Sequence, residues 1–496
     1  MVNFLNTLND FLWGTPFIVF VMAVGVYFTV KGKFFPFRYF GHIMKHTALN
    51  MTGKEANEKK EGKISPFEAF CIAVGSAVGT ANISGVATAI ATGGPGAVFW
   101  MWLWAFVGMM VKLVETALGL YYRTKDEKGA YSGGCMHYME RGIAGEMGKK
   151  IGIPLAALFT FSLFIQFVQG SQCYAIAEVL NYSFGLDMIL VTLCYSAFVY
   201  YIIWTGTNRI ANFACKLVPV MCVVYVLGGL VVIAANIGNI PSVFAMIFRD
   251  AFTGSAAFGG FMGAAVSKVI SSGVSRSVYS NEAGMGTSPM VHGSADTIHP
   301  VRQGLWGSME VFVDTLLVCT ITALAILSSG VWTSGQAGAT LTIMGFETVF
   351  GRYGAYYIGI MTLLFGATTT AGWYTYYQTA LAYLLRKWPK VKEKAAFIFK
   401  LIFPMTNIVI VSYIVFSGEG PELFWTIVSI LTAPSTLINL FGMLLIRKKF
   451  FAIFNDYKAR YLGVGKVDPN FHVFYEDDPA VAAEDARRIQ ELRAQA

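Results

Sequence analysis

Residues 73–82 read AVGSAVGTAN, the middle of an apolar run long enough to cross a bilayer, yet broken there by glycines and small polar side chains. Hydrocarbon offers peptide groups no hydrogen-bond partner. Helical winding can therefore be lost at that depth only where protein, an ion or a ligand satisfies the freed amides and carbonyls. The pattern returns as SNEAGMGTS at 280–288, at the end of another long apolar run. Two broken helices in corresponding places mark a candidate binding site near the membrane midplane, the plan of a secondary transporter.

The rest of the chain fits a membrane setting. Of its 496 residues 55% are hydrophobic and 13% charged, against roughly 25% charged in soluble domains. Apolar runs near 14–30, 66–92, 96–120, 152–180, 187–204, 213–236, 253–278, 303–329, 354–384, 396–416 and 422–446 give eleven candidate spans, each near the length that crosses a ~30 Å hydrocarbon core. The net charge of +8 does not point to nucleic acid, because the basic residues alternate between loops. Lys31, Lys33, Arg38, Lys45, Lys54, Lys59, Lys60 and Lys63 fill the first loop, with further clusters at 123–150, 209–216, 386–394 and 447–449. The intervening loops at 93–96, 181–187, 237–252, 330–353 and 417–421 hold only Arg249 and Arg352. Cationic loops stay on the cytoplasmic side, which puts the N-terminus outside and the C-terminus in the cytoplasm.

With the first span set aside, the breaks fall in the first and sixth of ten core spans. Two five-span halves must enter the membrane from opposite sides, an inverted repeat. The expected organisation is an extra N-terminal helix and basic loop at 1–63, five-helix repeats at 64–237 and 238–446, and a cytoplasmic tail at 447–496. In that tail Asp478 and Pro479 open a short solvated helix. The cysteines lie mostly in apolar runs without metal or redox spacing, and His292, Asp296 and His299 fit no zinc pattern. HExxH, GxSxG and a carboxylate pair set for catalysis are all missing, so the chain does not read as an enzyme.

Two long stretches, GTANISGVATAIATGGPGAVFWMWLWAFVGMMVKLVETALGLYYR from residue 79 and SNEAGMGTSPMVHGSADTIHPVRQGLWGSMEVFVDTLLVCT from residue 280, closely resemble the alanine or glycine:cation symporter family. AVGSAVGTAN also resembles the first-helix motif of the neurotransmitter:sodium symporters, the LeuT-type group. The resemblance implies an all-α LeuT-like 5+5 fold in the cytoplasmic membrane. It also implies uptake of alanine and/or glycine driven by Na⁺, or by H⁺ in some relatives, with lipid as the surrounding partner and no cofactor beyond the coupling ion. No obligate protein partner is evident. A different substrate (glutamine, serine, a D-amino acid) and a non-transporting amino-acid sensor stand as alternatives.

The site follows from the chemistry of a zwitterion and its ion. Amides at Thr80, Ala81 and Asn82, where a half-helix begins, suit a carboxylate. Carbonyls of Gly75 and Val78 at the end of the preceding half-helix suit a hard cation. The resemblance completes the Na⁺ site with hydroxyls of the FGATTTAGW segment, Thr368 and Thr369 before Thr370, although such hydroxyls also bond back to their own helix. It assigns Gln172 to the substrate, with Tyr279, Ser280 and Asn281 approaching the pocket and Trp373 as a wall. Relatives commonly read GTGN where this chain has Ala81. Lys268 stands on the sixth core span, and either snorkels into a vestibule, shifts a gate's charge or couples directly. Lys112, Glu115 and Asp314 are expected to pair between helices.

Overall fold

The computed structural model describes residues 2–58, 63–125, 131–204, 206–253, 262–417 and 421–475. The tail helix expected at Asp478 lies outside them. The described chain is almost entirely helical, with one two-stranded ribbon, Thr124–Lys125 against Tyr131–Ser132. Among the described residues seven helices are long and apolar enough to cross a membrane, and the bent pair Pro66–Ala77 and Thr80–Gly93 makes an eighth. The other three expected spans exist as helices but differ in kind. Met188–Ile203 is apolar and 16 residues long, whereas Met262–Asn281 and Arg352–Leu384 are long but rich in serine, threonine and glycine. A span that lines a polar interior need not be apolar all round.

The second and seventh core spans, Gly96–Tyr121 and Pro300–Ser328, pack face to face at the centre, with Met262–Asn281 against the second. The seventh holds a π-helical stretch, Phe312–Cys319. The first core span starts at a capping box legible as SPFE: Glu68 N donates to Ser65 Oγ at 3.1 Å and Ser65 N to Glu68 Oε2 at 2.8 Å. Pro66 at the first helical position adds to the stop-start geometry. The additional N-terminal helix, Thr15–Lys31, packs on the second core span and the tenth, Pro421–Leu445.

Three helices fill segments read from sequence as loops or tail. Ile240–Thr253 lies against the second span, and Gly338–Phe350 against the second half of the first broken helix. At 14 and 13 residues both are too short to span, which is why span counting passes over them. Arg447–Leu462 docks with Phe450, Ile453, Phe454 and Tyr457 buried. The third core span also changes winding midway, from Lys149–Phe164 through a 3₁₀ stretch at Ile165–Gln169 to Ser171–Phe184, with Gly170 left-handed at φ 56° between them.

Candidate functional site

The first break is built by one side chain that redirects a backbone donor. Gly79 N–H, which a continuing helix would give to the Gly75 carbonyl, instead donates to Asn82 Oδ1 at 2.8 Å. The two half-helices meet at 53°. Gly75 O is freed in this way and Val78 O by the turn that gives Asn82 N–H to Gly79 O; they lie 3.0 and 3.3 Å from Thr369 Oγ1 on the eighth span, which donates to them. Gly79 has to be glycine: a Cβ there would stand 2.5 Å from Thr369 Oγ1 and 3.1 Å from Gln172 Oε1.

The three threonines face different ways. Thr369 reaches the break. Thr368 Oγ1 donates within its own helix to Phe365 O at 2.9 Å, while its Cβ lies 3.3 Å from where a Cβ on Gly75 would sit. Thr370 Oγ1 shares a 2.6 Å hydrogen bond with Tyr195 OH. Oxygen atoms of Gly75, Val78 and Thr369 thus meet where two spans touch, donors of a kind suited to a hard monovalent cation.

Beside it lies a cavity of about 40 Å³. Its walls include Ala81, Gln172, Tyr279, Trp373 and Thr369 from the expected set. Thr80 is one step removed: its N–H and Oγ1 donate to Gln172 Oε1 at 3.1 and 2.9 Å, so its amide is occupied by the glutamine. Asn82, Ser280 and Asn281 are not among the cavity residues. Asn82 Nδ2 donates to Asp314 Oδ1 at 2.7 Å, and Ser280 Oγ to Asp314 Oδ2 at 2.9 Å. Asn281 Nδ2 donates to Thr315 Oγ1 at 3.0 Å, and Thr315 Oγ1 to Asp314 Oδ2 at 2.7 Å. Asp314 is therefore held by neutral donors rather than by the ion pair expected for it, and it ties both broken helices to the π-helical turn of the seventh span.

The second break spans residues 282–288. Glu282, Gly284 and Gly286 are left-handed at φ 56°, 85° and 78°, and a glutamate in that region is uncommon and strained. Three of the freed groups are answered by side chains. Lys112 Nζ donates to Asn281 O at 3.1 Å, Asn439 Nδ2 to Gly284 O at 2.9 Å and Ala283 N to Asn281 Oδ1 at 3.0 Å. Lys112 sits 3.7 Å from Glu115 as the sequence spacing suggests, and closer, 3.0 Å, to Glu310. Glu282 lines the cavity, with Oε2 accepting from Thr287 Oγ1 at 2.5 Å. Sequence reading passed over it, although a charged residue inside a glycine-broken span was the available signal. Lys268 is exposed, and His292, Asp296 and His299 meet Glu310, Lys63 and Asp456 respectively.

The profile of the sodium:alanine symporter family matches residues 1–471. The chain is 34% identical over 452 residues to the sodium/alanine symporter AgcS of Methanococcus maripaludis, covering 90% of this chain and 94% of that protein. It is 36% identical over 471 residues to the probable sodium/glutamine symporter GlnT of Bacillus subtilis, covering 95% and 92%. A solved structure of a Na⁺-coupled sialic acid symporter shares the fold at a TM-score of 0.53 and 11% identity, over 98% of this chain and 96% of that one. The all-α architecture is thus of the LeuT type. With the fold, the discontinuous helices and a match along nearly the whole chain in agreement, this multi-pass membrane transporter belongs to the sodium:alanine symporter family.

Proposed function

We propose that the chain takes up small neutral amino acids, alanine and/or glycine, together with Na⁺ across the cell membrane by alternating access. The observation that carries this is the Thr369 hydroxyl lying against two unwound carbonyls, Gly75 and Val78, at the edge of a small cavity. Na⁺ would take the oxygens of Gly75, Val78, Thr368 and Thr369 in place of the hydrogen bonds they now make. Ala81 and Gln172 face the substrate's carboxylate end, and Thr80 holds Gln172 in position. Glu282 supplies a carboxylate to the ammonium, and Tyr279 and Trp373 close the sides. Asn82, Ser280 and Asn281 act at one remove by holding the two breaks in shape around Asp314.

Rocking of one five-helix group against the other would expose the site to each side in turn. The alternation of basic loops supports an outside N-terminus and a cytoplasmic C-terminus. The driving force is adequate: one charge moving down 100 mV contributes ~2.3 kcal/mol and a tenfold Na⁺ gradient ~1.4 kcal/mol. Together these sustain an accumulation of roughly several hundredfold. Uptake of radiolabelled alanine into proteoliposomes, with and without an inward Na⁺ gradient, tests the proposal. Accumulation that ignores Na⁺ would overturn the coupling, and its absence for every amino acid would overturn the substrate class.

A further inference from the structure

The cavity has a second wall that a methyl side chain does not need. It forms where the third core span loses α-helical winding and meets the ninth span, Pro389–Ser417, and it carries three primary amides, Gln166, Gln169 and Asn407. All three are at least nine-tenths buried, at 0%, 5% and 5% exposure. Gln166 Nε2 is committed to Ser162 O at 3.2 Å and Ser435 Oγ at 3.0 Å. Gln169 Nε2 has only a stretched contact with Gln166 Oε1 at 3.5 Å. Asn407 Nδ2 has no hydrogen-bond partner among the described residues. Pro404, one turn earlier on the same helix, lacks an N–H and disrupts the local ladder. Gly170 packs against Asn407, whose Oδ1 would be 3.4 Å from a Cβ there.

Buried amide donors without partners are rare because leaving them so is costly. Asn407 lines the cavity, and rotation of its amide toward that space would offer the donor to an acceptor on a ligand. The first-break wall already matches the groups every amino acid shares, which leaves this wall for what differs between them. Phe167, Trp373, Tyr377 and Phe403 also line the cavity and limit the bulk it admits.

We propose that Asn407 and Gln169, backed by Gln166, form a side-chain subsite for neutral amino acids whose short side chain carries a hydrogen-bond-accepting oxygen, a hydroxyl or a carboxamide. This subsite rests on the amino-acid symport proposed above, and it ranks serine, asparagine and glutamine ahead of apolar analogues of equal size. A site built to hydrogen-bond a substrate group discriminates strongly against the analogue lacking it, so the advantage is at least about tenfold.

The test uses the full chain in proteoliposomes with an inward Na⁺ gradient and measures competition against labelled alanine. Serine is compared with 2-aminobutyrate, which replaces the hydroxyl by a methyl, and asparagine and glutamine are compared with leucine and norleucine. The expected result is at least tenfold stronger competition by one or more of the oxygen-bearing members than by its partner, with the serine and amide arms telling hydroxyl from carboxamide. In Asn407→Leu, and separately in Gln169→Leu, that ratio should fall to within about twofold. Ratios near one in the unmodified protein overturn the subsite while Na⁺-driven alanine uptake leaves the symport intact. Ratios untouched by either substitution also overturn it. Failure to accumulate any amino acid removes both proposals.

Discussion

Replacing Thr369 with valine removes one oxygen and nearly preserves volume, at the point where the eighth span meets the first break. In the native protein that oxygen is 3.0 Å from Gly75 O and 3.3 Å from Val78 O. A bound cation would exchange those hydrogen bonds for coordination, and valine can make neither. Interactions with a charged partner contribute about 1.5–3 kcal/mol, which weakens half-saturation by Na⁺ roughly 10- to 150-fold. The assay is alanine uptake into proteoliposomes across a Na⁺ series, beside Thr322→Val, which loses a comparable buried hydroxyl bonded to Tyr225 at 2.7 Å away from the cavity. Thr322→Val should lower thermal stability by about 0.5–1.5 kcal/mol and leave the Na⁺ series in place. A Thr369→Val protein with Na⁺ half-saturation within twofold of the parent would refute the cation site.

Gln172→Ala removes the acceptor of Thr80 N–H and Oγ1. It should weaken substrate binding about tenfold, near 1.4 kcal/mol, and Na⁺ binding less; equal shifts in titrations of both ligands would contradict its role. Lys112→Met leaves Glu115 and Glu310 buried without their cation and should destabilise the detergent-solubilised protein by about 3–5 kcal/mol, read from thermal unfolding; a loss under 1 kcal/mol would contradict it. Burial holds the His299 imidazole below its ordinary value of 6.5, with Arg460 and Arg302 acting in the same direction and Asp456 opposing. The unfolded or undocked form therefore binds the proton more readily, so the contribution of His299 is present above pH 6.5 and is lost as pH falls below it. The hydrogen-exchange protection of Arg447–Leu462, corrected for the intrinsic exchange rate at each pH, should fall on acidification, and His299→Gln should flatten that dependence.

The fold was legible where physics acts on long stretches. The glycine-interrupted run at 73–82, its counterpart at 280–288 and the span lengths led to two discontinuous helices in an all-α bundle, and the family followed from the same residues. Finer features depend on contacts between distant segments. Nothing in the order of residues says that Asn82 spends its carboxamide on Gly79 and Asp314, so it looked like a pocket residue. Glu310 becomes the nearer partner of Lys112 only when the second and seventh spans pack. The 3₁₀ turn at 165–169 lacks the glycine cluster that announced the other breaks, with Gly170 its one marker. Gly338–Phe350 escaped notice because a 13-residue helix leaves no span-length signature, yet its Thr342 Oγ1 donates to Ile83 O at 2.8 Å, satisfying a carbonyl at the start of the second half-helix.

Asp314 is a yoke. Because Asn82 from one interrupted helix and Ser280 from the other hang on the same carboxylate, neither can shift far without tugging its counterpart. Loosening this knot should show as leak, ions slipping through without cargo, before it shows as unfolding.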